Sequence, residues 1–344
     1  MDEMWMDIKC ETEKLLMKYY VLEGYMGGSI FHYTSATALE NLVRDRTLRV
    51  TKSDFLNDKT EYMYAIGLIN EVFSRNKYKV KKEVFTEINR EFKHYLARSF
   101  IFSASLNSDS VNLWSNYSDY EGYNIGLNLQ EIFNRMWNRE IYVAGNKTLK
   151  DGTIKKYFIE RKDQHKSIMM SAGKVIYDRG EQETIISDIF IFLEQIIKIY
   201  DSHIKKDKDM DKAMLDDLDQ NFNRAFKSAI QILISKIQLF KNPIFKQDEE
   251  YRIIFDVNSR LDVKKFRQLN GVFIPYIEVV FDTEDNAKGL PINSITIGPK
   301  NNIDIAEKGL KQFLRNQGYK LAKKDNLEDS NKLFVRQSAV PLRY

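Results

Sequence analysis

SIFHYTSATALENLVRDRTLRV, residues 29–50, carries the pattern from which the rest of the chain is read. Ile30 to Tyr33 is a short β-branched and aromatic run, so it reads as a strand. Thr34 or Ser35 then supplies a hydroxyl of the kind that caps a helix, and Leu39, Leu42 and Val43 follow at helical spacing. RTLRVTKS returns to alternation and reads as a second strand. Two short strands separated by one short helix place the chain in a mixed class. In an extended segment, alternate side chains share a face. Phe31 and Tyr33 form the expected core-facing pair, and His32 and Thr34 face the other way, beside the helix start. A helix N-terminus presents backbone N–H groups and partial positive charge to an anion or polarised oxygen. The plainer reading of His32 is a structural histidine bonded to a carbonyl.

Working outward, residues 5–22 read as a helix with Leu15, Leu16, Tyr19 and Tyr20 on one stripe, broken by Gly24, Gly27 and Gly28. Residues 60–98 read as two helices joined near Asn76 to Lys79, and SFIFSAS, residues 99–105, as a buried strand. A short helix is expected in SDSVNLWSNYSDYEG, and strands in YNIGLNL and GKVIYD (residues 173–178). Residues 181–240 are helical in pattern, including the charged segment IKKDKDMDKAMLDDLDQ, a solvated helix or linker. FKQDEEYRIIFDV, VFIPYIEVVFD and SITIGPK return to β character. A last helix buries Ile303, Ile305, Leu310, Phe313 and Leu314 and ends at Gly318. The expected fold is α+β, a small mixed or antiparallel β core wrapped by helices. The expected organisation is an N-terminal helix (1–28), a first part of the core (29–180), a helical insertion (181–240) and a second part with a C-terminal helix (241–344).

Composition narrows the function classes. A hydrophobic fraction of 43% and an aromatic fraction of 12% exclude a disordered chain. The net charge of +4 suits a phosphate-bearing ligand or RNA without demanding either, because both signs are mixed along the chain. Cys10 is the only cysteine, so no internal disulfide forms and no cysteine-based zinc site exists, which fits a reducing cytoplasm. The N-terminus lacks a signal-peptide core, and no apolar run reaches the length of a membrane span, so no membrane partner is expected. Walker, GxGxxG, GxSxG and HExxH motifs are absent.

Three further clusters could carry chemistry. In KQDEEYRIIF (246–255), alternation sets Asp248, Glu250 and Arg252 on one strand face, about 7 Å apart in succession. Paired carboxylates shift each other's proton affinity, and a neighbouring guanidinium counters that. A solvent-facing strand end with a Glu–Arg pair is the plain alternative. In FSASLNSDSVNLWSNY, Ser103 and Ser105 share a strand face, while Trp114 and Tyr117 lie one helical step apart. These aromatics form either a stacking platform for a planar ring or ordinary core. In TKSDFLNDKTEYMY, Asn57, Asp58 and Glu61 fit a turn and helix start.

Taken in order, HYT, LR, LND, FSxS, LWxxY, GYxIGL, FKxxxEYRII and ITIGPK resemble the domain-of-unknown-function 2971 family of bacterial proteins, over roughly residues 30–318. That motif order is similar to the order in ADP-ribosyltransferase-like domains. The resemblance implies a split β core and NAD as the substrate. Of the residues, it implies His32 on the first core strand, Ser103 or Ser105, or else Tyr117, in the middle position, and Glu250 as the late acid preceded by Asp248. By the same resemblance, Glu250 stabilises positive charge on the ribose, and His32 holds the adenosine-side ribose or a phosphate oxygen. Tyr117 or Trp114 stacks on nicotinamide, and Arg49 and Arg252 are candidates for the pyrophosphate. The acceptor is left open among protein, nucleic acid and water, in the setting of a bacterial toxin or phage-defence effector. A second reading is a non-catalytic nucleotide- or partner-binding module, with the helical insertion as an oligomerisation or sensing element. A third is a metal-dependent nuclease using Asp54, Asp58, Asp248 and Glu250.

Overall fold

The structure, a computed structural model, describes residues 3–20, 28–56, 61–76, 78, 82–159, 168–206, 211–269, 271–281, 289–300, 302–322 and 332–341. The chain divides into two compact units. One is built from residues 1–24, 57–97 and 175–245, the other from 25–56, 98–174 and 246–344.

The second unit contains the sheet. In chain order its elements are β1 (Ser29–Thr34), α2 (Ala36–Asp45), β2 (Thr47–Lys52), β3 (Ser99–Ser105), α5 (Val111–Ser118), β4 (Tyr123–Asn128) and α6 (Leu129–Trp137). They continue as β5 (Tyr142–Thr148), β6 (Ile154–Phe158), β7 (Ile168–Lys174), β8 (Glu250–Val257), β9 (Lys265–Leu269), β10 (Val272–Val280), β11 (Ile292–Ile297), α9 (Ile303–Asn316) and β12 (Phe334–Gln337). Strand order is β12-β11-β4-β1-β3-β2-β10-β5-β6, with β8 and then β7 attached to β3, and β9 attached to β10. Most ladders are antiparallel, and β11 with β12 is parallel.

Alternation decides which face each residue takes. Leu48 and Val50 of β2, Phe100 and Phe102 of β3, and Tyr251, Ile253 and Phe255 of β8 enter one core, together with Leu39 and Val43 of α2, Ile132 of α6 and Leu314 of α9. Each such side chain contributes about 1.5–3 kcal/mol by leaving water. Ser35 caps α2, its hydroxyl accepting from the Ala38 N–H at 3.2 Å. The opposite face carries a smaller cluster of Tyr33, Leu113 and Trp114 under α5.

The first unit is helical: α1 (Glu3–Tyr20), α3 (Glu61–Asn76), α4 (Lys82–Arg98, whose last residue falls in the other unit), α7 (Arg179–Lys206) and α8 (Lys212–Ile237). Buried Gln182 clasps it: its amide donates to the Ile176 and Lys241 carbonyls at 2.6 and 3.0 Å and accepts from the Tyr64 hydroxyl at 2.7 Å. This unit takes in residues 57–97 as well as the segment expected to be an insertion.

The α+β class is as expected, and particular elements differ. The strand expected at 173–178 runs earlier, over Ile168–Lys174. β5, β6, β9 and β12 are additional to the strands expected, because their short or charged sequences lack clear alternation. Ile305 is 67% exposed rather than buried, since it lies on the side of α9 away from Leu310 and Leu314. On β1 both faces are covered: Ile30 enters the main core, and Tyr33 the small cluster.

The glycines of GYxIGL and ITIGPK serve packing. A Cβ on Gly298 would meet the backbone oxygens of Tyr120 and Gly122 at 2.8 and 3.0 Å and Trp114 Cε3 at 3.1 Å. Backbone cannot yield as a flexible side-chain end does. Gly298→Ala is therefore expected to destabilise by about 1–3 kcal/mol, as overpacking does. Gly309→Ala, in α9 with nothing within 4 Å, is expected to stabilise by about 1 kcal/mol. Urea unfolding of the two variants checks both signs.

Candidate functional site

The site begins with a fork in the sheet. One edge of β3 is filled along its whole length by β8, from Ser99↔Asp256 to Ser105↔Glu250. The other edge is shared by two strands. β1 pairs with it at Phe31↔Ser105, and β2 at Thr51↔Ile101 and Lys52↔Phe100. Between those points, Phe102, Ser103 and Ala104 have no strand partner on that edge. A β backbone leaves its carbonyl costly to bury unpaired. At Ser103 a side chain supplies the missing donor: His32 Nδ1 lies 3.0 Å from the Ser103 carbonyl oxygen. A carbonyl only accepts, so the proton sits on Nδ1 and Nε2 is the acceptor. The ring also packs on Phe102, with centroids 4.8 Å apart. Burial pushes the His32 pKa below the usual 6.5; the Ser103 bond opposes this, and the charge of Arg267 adds to it. His32 is thus partner to a forked sheet edge, and not an element of the α2 N-terminus, which Ser35 caps.

The face of β3 and β8 that bears Ser103, Ser105, Glu250 and Arg252 lies opposite the main core. Glu250 and Arg252 are 6% and 2% exposed. Arg252 Nε reaches one carboxylate oxygen of Glu250 at 2.8 Å, and its second nitrogen reaches the other at 3.1 Å. The pair is buried, bidentate and held on a central strand, unlike the solvent-facing strand end that the sequence also allowed. Asp248 lies ahead of the strand that carries the pair. Residues 243–248 form a 3-10 turn, and Glu249 has φ +44, so the alternation breaks before Glu250. The Asp248 backbone oxygen accepts from the Ser105 hydroxyl at 2.8 Å, and that hydroxyl accepts from the Asn107 N–H at 3.0 Å. Ser105 therefore ties the turn to β3.

Phe31 and Ser105 are direct partners, and so are Ser105 and Glu250. Phe31 thus shares the Glu250 face, and His32 and Thr34 belong to the other. The expected convergence of His32 with Glu250 is replaced by an arrangement on opposite faces of the sheet. Thr34 is 8% exposed at the end of β1. Trp114 is completely buried, its indole N–H donating to Asp109 at 2.7 Å and its ring edge-on to Tyr33. It has no free face for a nicotinamide ring. Tyr117, one turn further along α5, is 41% exposed.

Arg49 lies on the face of β2 opposite Leu48 and Val50, 3.4 Å from Asp45 and with its guanidinium carbon 5.7 Å from the Tyr276 ring centre. Sequence reasoning missed Arg267 and Tyr276. Arg267, on β9, lies 6.0 Å from the same ring centre and donates to the Thr51 hydroxyl at 3.0 Å. KFRQL shows alternation only weakly, and nothing local ties it to residue 49.

Asp54 is exposed and pairs with Lys52 at 2.8 Å, Glu250 is held by Arg252, and Asp58 with its neighbour Asn57 lies outside the described residues. Among the described residues no group of three or more His, Cys, Asp or Glu is placed to hold a metal ion, and no helix is long and apolar enough to cross a membrane.

Residues 113–253 match the family described as Protein of unknown function (DUF2971), so the resemblance carried by LWxxY, GYxIGL and EYRII holds over that segment. No curated protein and no solved structure matches the chain.

Depressed protonation of His32 has a thermodynamic consequence. Between its folded pKa and 6.5 the unfolded chain binds the extra proton, so stability contributed by neutral His32 is full above 6.5 and is lost as pH falls below it. Urea unfolding from about pH 7.5 to about pH 5 should show the wild type losing more stability than His32→Gln across that window. Parallel curves would mean that His32 titrates alike in both states.

Proposed function

We propose that the β unit is an ADP-ribosyltransferase-like domain that cleaves NAD, with Glu250 as its catalytic carboxylate. The observation that carries this reading is the buried Glu250–Arg252 pair on the strand beside Ser103, next to the sheet fork. Burying a charged pair costs several kcal/mol in desolvation and is seldom a source of net stability. Its presence on a rigid central strand suits a preorganised charge.

The chemistry follows from the bond broken. When the ribose C1′–nitrogen bond of NAD parts, the electron pair leaves with nicotinamide and neutralises the ring, and positive charge develops on the ribose. A fixed carboxylate lowers the energy of that charge. A carboxylate oxygen has more than one lone pair, so accepting from Arg252 does not by itself prevent it from accepting from a ribose hydroxyl. The acceptor then bonds to C1′ through an oxygen or nitrogen and releases its proton. Arg252 is a positioning residue in this scheme, and so is His32, which holds the fork through Ser103. Tyr117, exposed on α5, is the remaining aromatic for stacking. Protein, nucleic acid and water all remain open as the acceptor.

One observation favours the alternative of a non-catalytic nucleotide-binding module: both Glu250 oxygens already bond to Arg252. A single experiment separates the two. Purified protein is incubated with NAD and cell lysate beside Glu250→Gln, and nicotinamide and ADP-ribosylated products are read by mass spectrometry. The enzyme reading expects release that falls by about a hundredfold or more in the variant, as loss of a transition-state charge partner does. NAD bound but intact in both samples establishes the binding module. Release at equal rates in both removes Glu250 from the mechanism.

A further inference from the structure

Arg49 and Arg267 come from strands more than two hundred residues apart in the chain and approach one tyrosine. The register puts them on one face. Thr51 is the direct partner of Tyr276, Arg49 of Glu278, Lys265 of Tyr276 and Arg267 of Ile274, so all these side chains point to the side opposite the main core. The guanidinium carbons lie 5.7 and 6.0 Å from the Tyr276 ring centre.

The charges around them are unevenly matched. Glu278 is taken by Lys265 and also meets the Tyr276 hydroxyl at 3.4 Å. Asp45 approaches Arg49 only at 3.4 Å, from an exposed position. Arg267 has no carboxylate partner among the described residues; its polar partner is the neutral Thr51 hydroxyl, and its Nε is buried without a hydrogen bond. Burial and the neighbouring Arg49 together push its pKa below the ordinary arginine range. Holding two guanidiniums near one another, one of them partly desolvated, is unfavourable in the protein alone. An anion between them reverses the sign of that interaction.

We propose that Arg49, Arg267 and Thr51, arranged around Tyr276, form a binding site for the diphosphate group of a phosphate ester. Each guanidinium supplies N–H donors to one of two linked phosphates, the Thr51 hydroxyl serves one phosphate oxygen, and the Tyr276 ring, 5.7 and 6.0 Å from the two guanidinium carbons, attracts both cations. The inference goes beyond the NAD reading, because any diphosphate ester satisfies it and no bond need be cleaved.

Isothermal titration of the full chain with inorganic pyrophosphate, and separately with ADP, tests it. The expected result is binding by the wild type that weakens with salt and falls by about tenfold or more in both Arg267→Gln and Arg49→Gln. Arg267→Lys should restore little, since lysine supplies a point charge without the planar fork. Circular dichroism of each variant reports whether it folds, and if Arg267→Gln does not, Arg49→Gln decides. Wild-type protein that takes up neither ligand at millimolar concentration, or folded variants that bind as the wild type does, would overturn the proposal. Glu250→Gln is expected to keep pyrophosphate binding, so a failure of the NAD reading leaves this result standing, and the reverse.

Discussion

One strand edge cannot be filled twice, and β3 is asked to serve two neighbours on the same edge. β1 takes the end at Ser105 and β2 takes the end at Ile101, and the backbone between them is left to find other partners. The Ser103 carbonyl sets the position and tautomer of His32, and burial pushes its pKa down. The same fork separates the strands that carry Arg49 and Thr51 from the strand that carries His32. Everything assigned to the site is arranged around that division.

The second constraint is the burial of Glu250 with Arg252. A bidentate carboxylate–guanidinium pair bonds both carboxylate oxygens in a place that is largely closed to solvent. It does so on a strand whose alternate residues, Tyr251, Ile253 and Phe255, belong to the main core. Displacing the pair would displace that core. Rigid placement of a charge is what a charge-stabilising site requires, and it is equally what a structural ion pair provides. This is why activity, rather than geometry, separates the two readings of Glu250.

Much of what makes the sequence resemble a family is packing. Trp114 of LWxxY, Gly122 of GYxIGL and Gly298 of ITIGPK meet at one point, where a Cβ on Gly298 would press against two backbone oxygens and the indole. Ser105 of FSxS ties down the turn before β8. A recurrent motif therefore marks either chemistry or a close approach of backbones, and here several of the motif residues mark the second. Among the residues of the chemical reading, Glu250, Arg252 and Arg49 keep a place on one face, while Trp114 and Ser105 are committed to structure.

The sequence by itself determined the class of fold, the helices with clear periodicity, and the facing of β8, because those depend on repeats of side-chain type over a few residues. A hydroxyl cap at Thr34 or Ser35 and Glu250 beside Arg252 were legible for the same reason. Only the tertiary structure decided that His32 answers a forked edge, that Asp248 falls in a turn, that Trp114 has no free face, and that Arg267 meets Arg49 across Tyr276. Those facts depend on which strands become neighbours and in what register. Register is fixed by the burial of whole faces far apart in the chain, which no local pattern records.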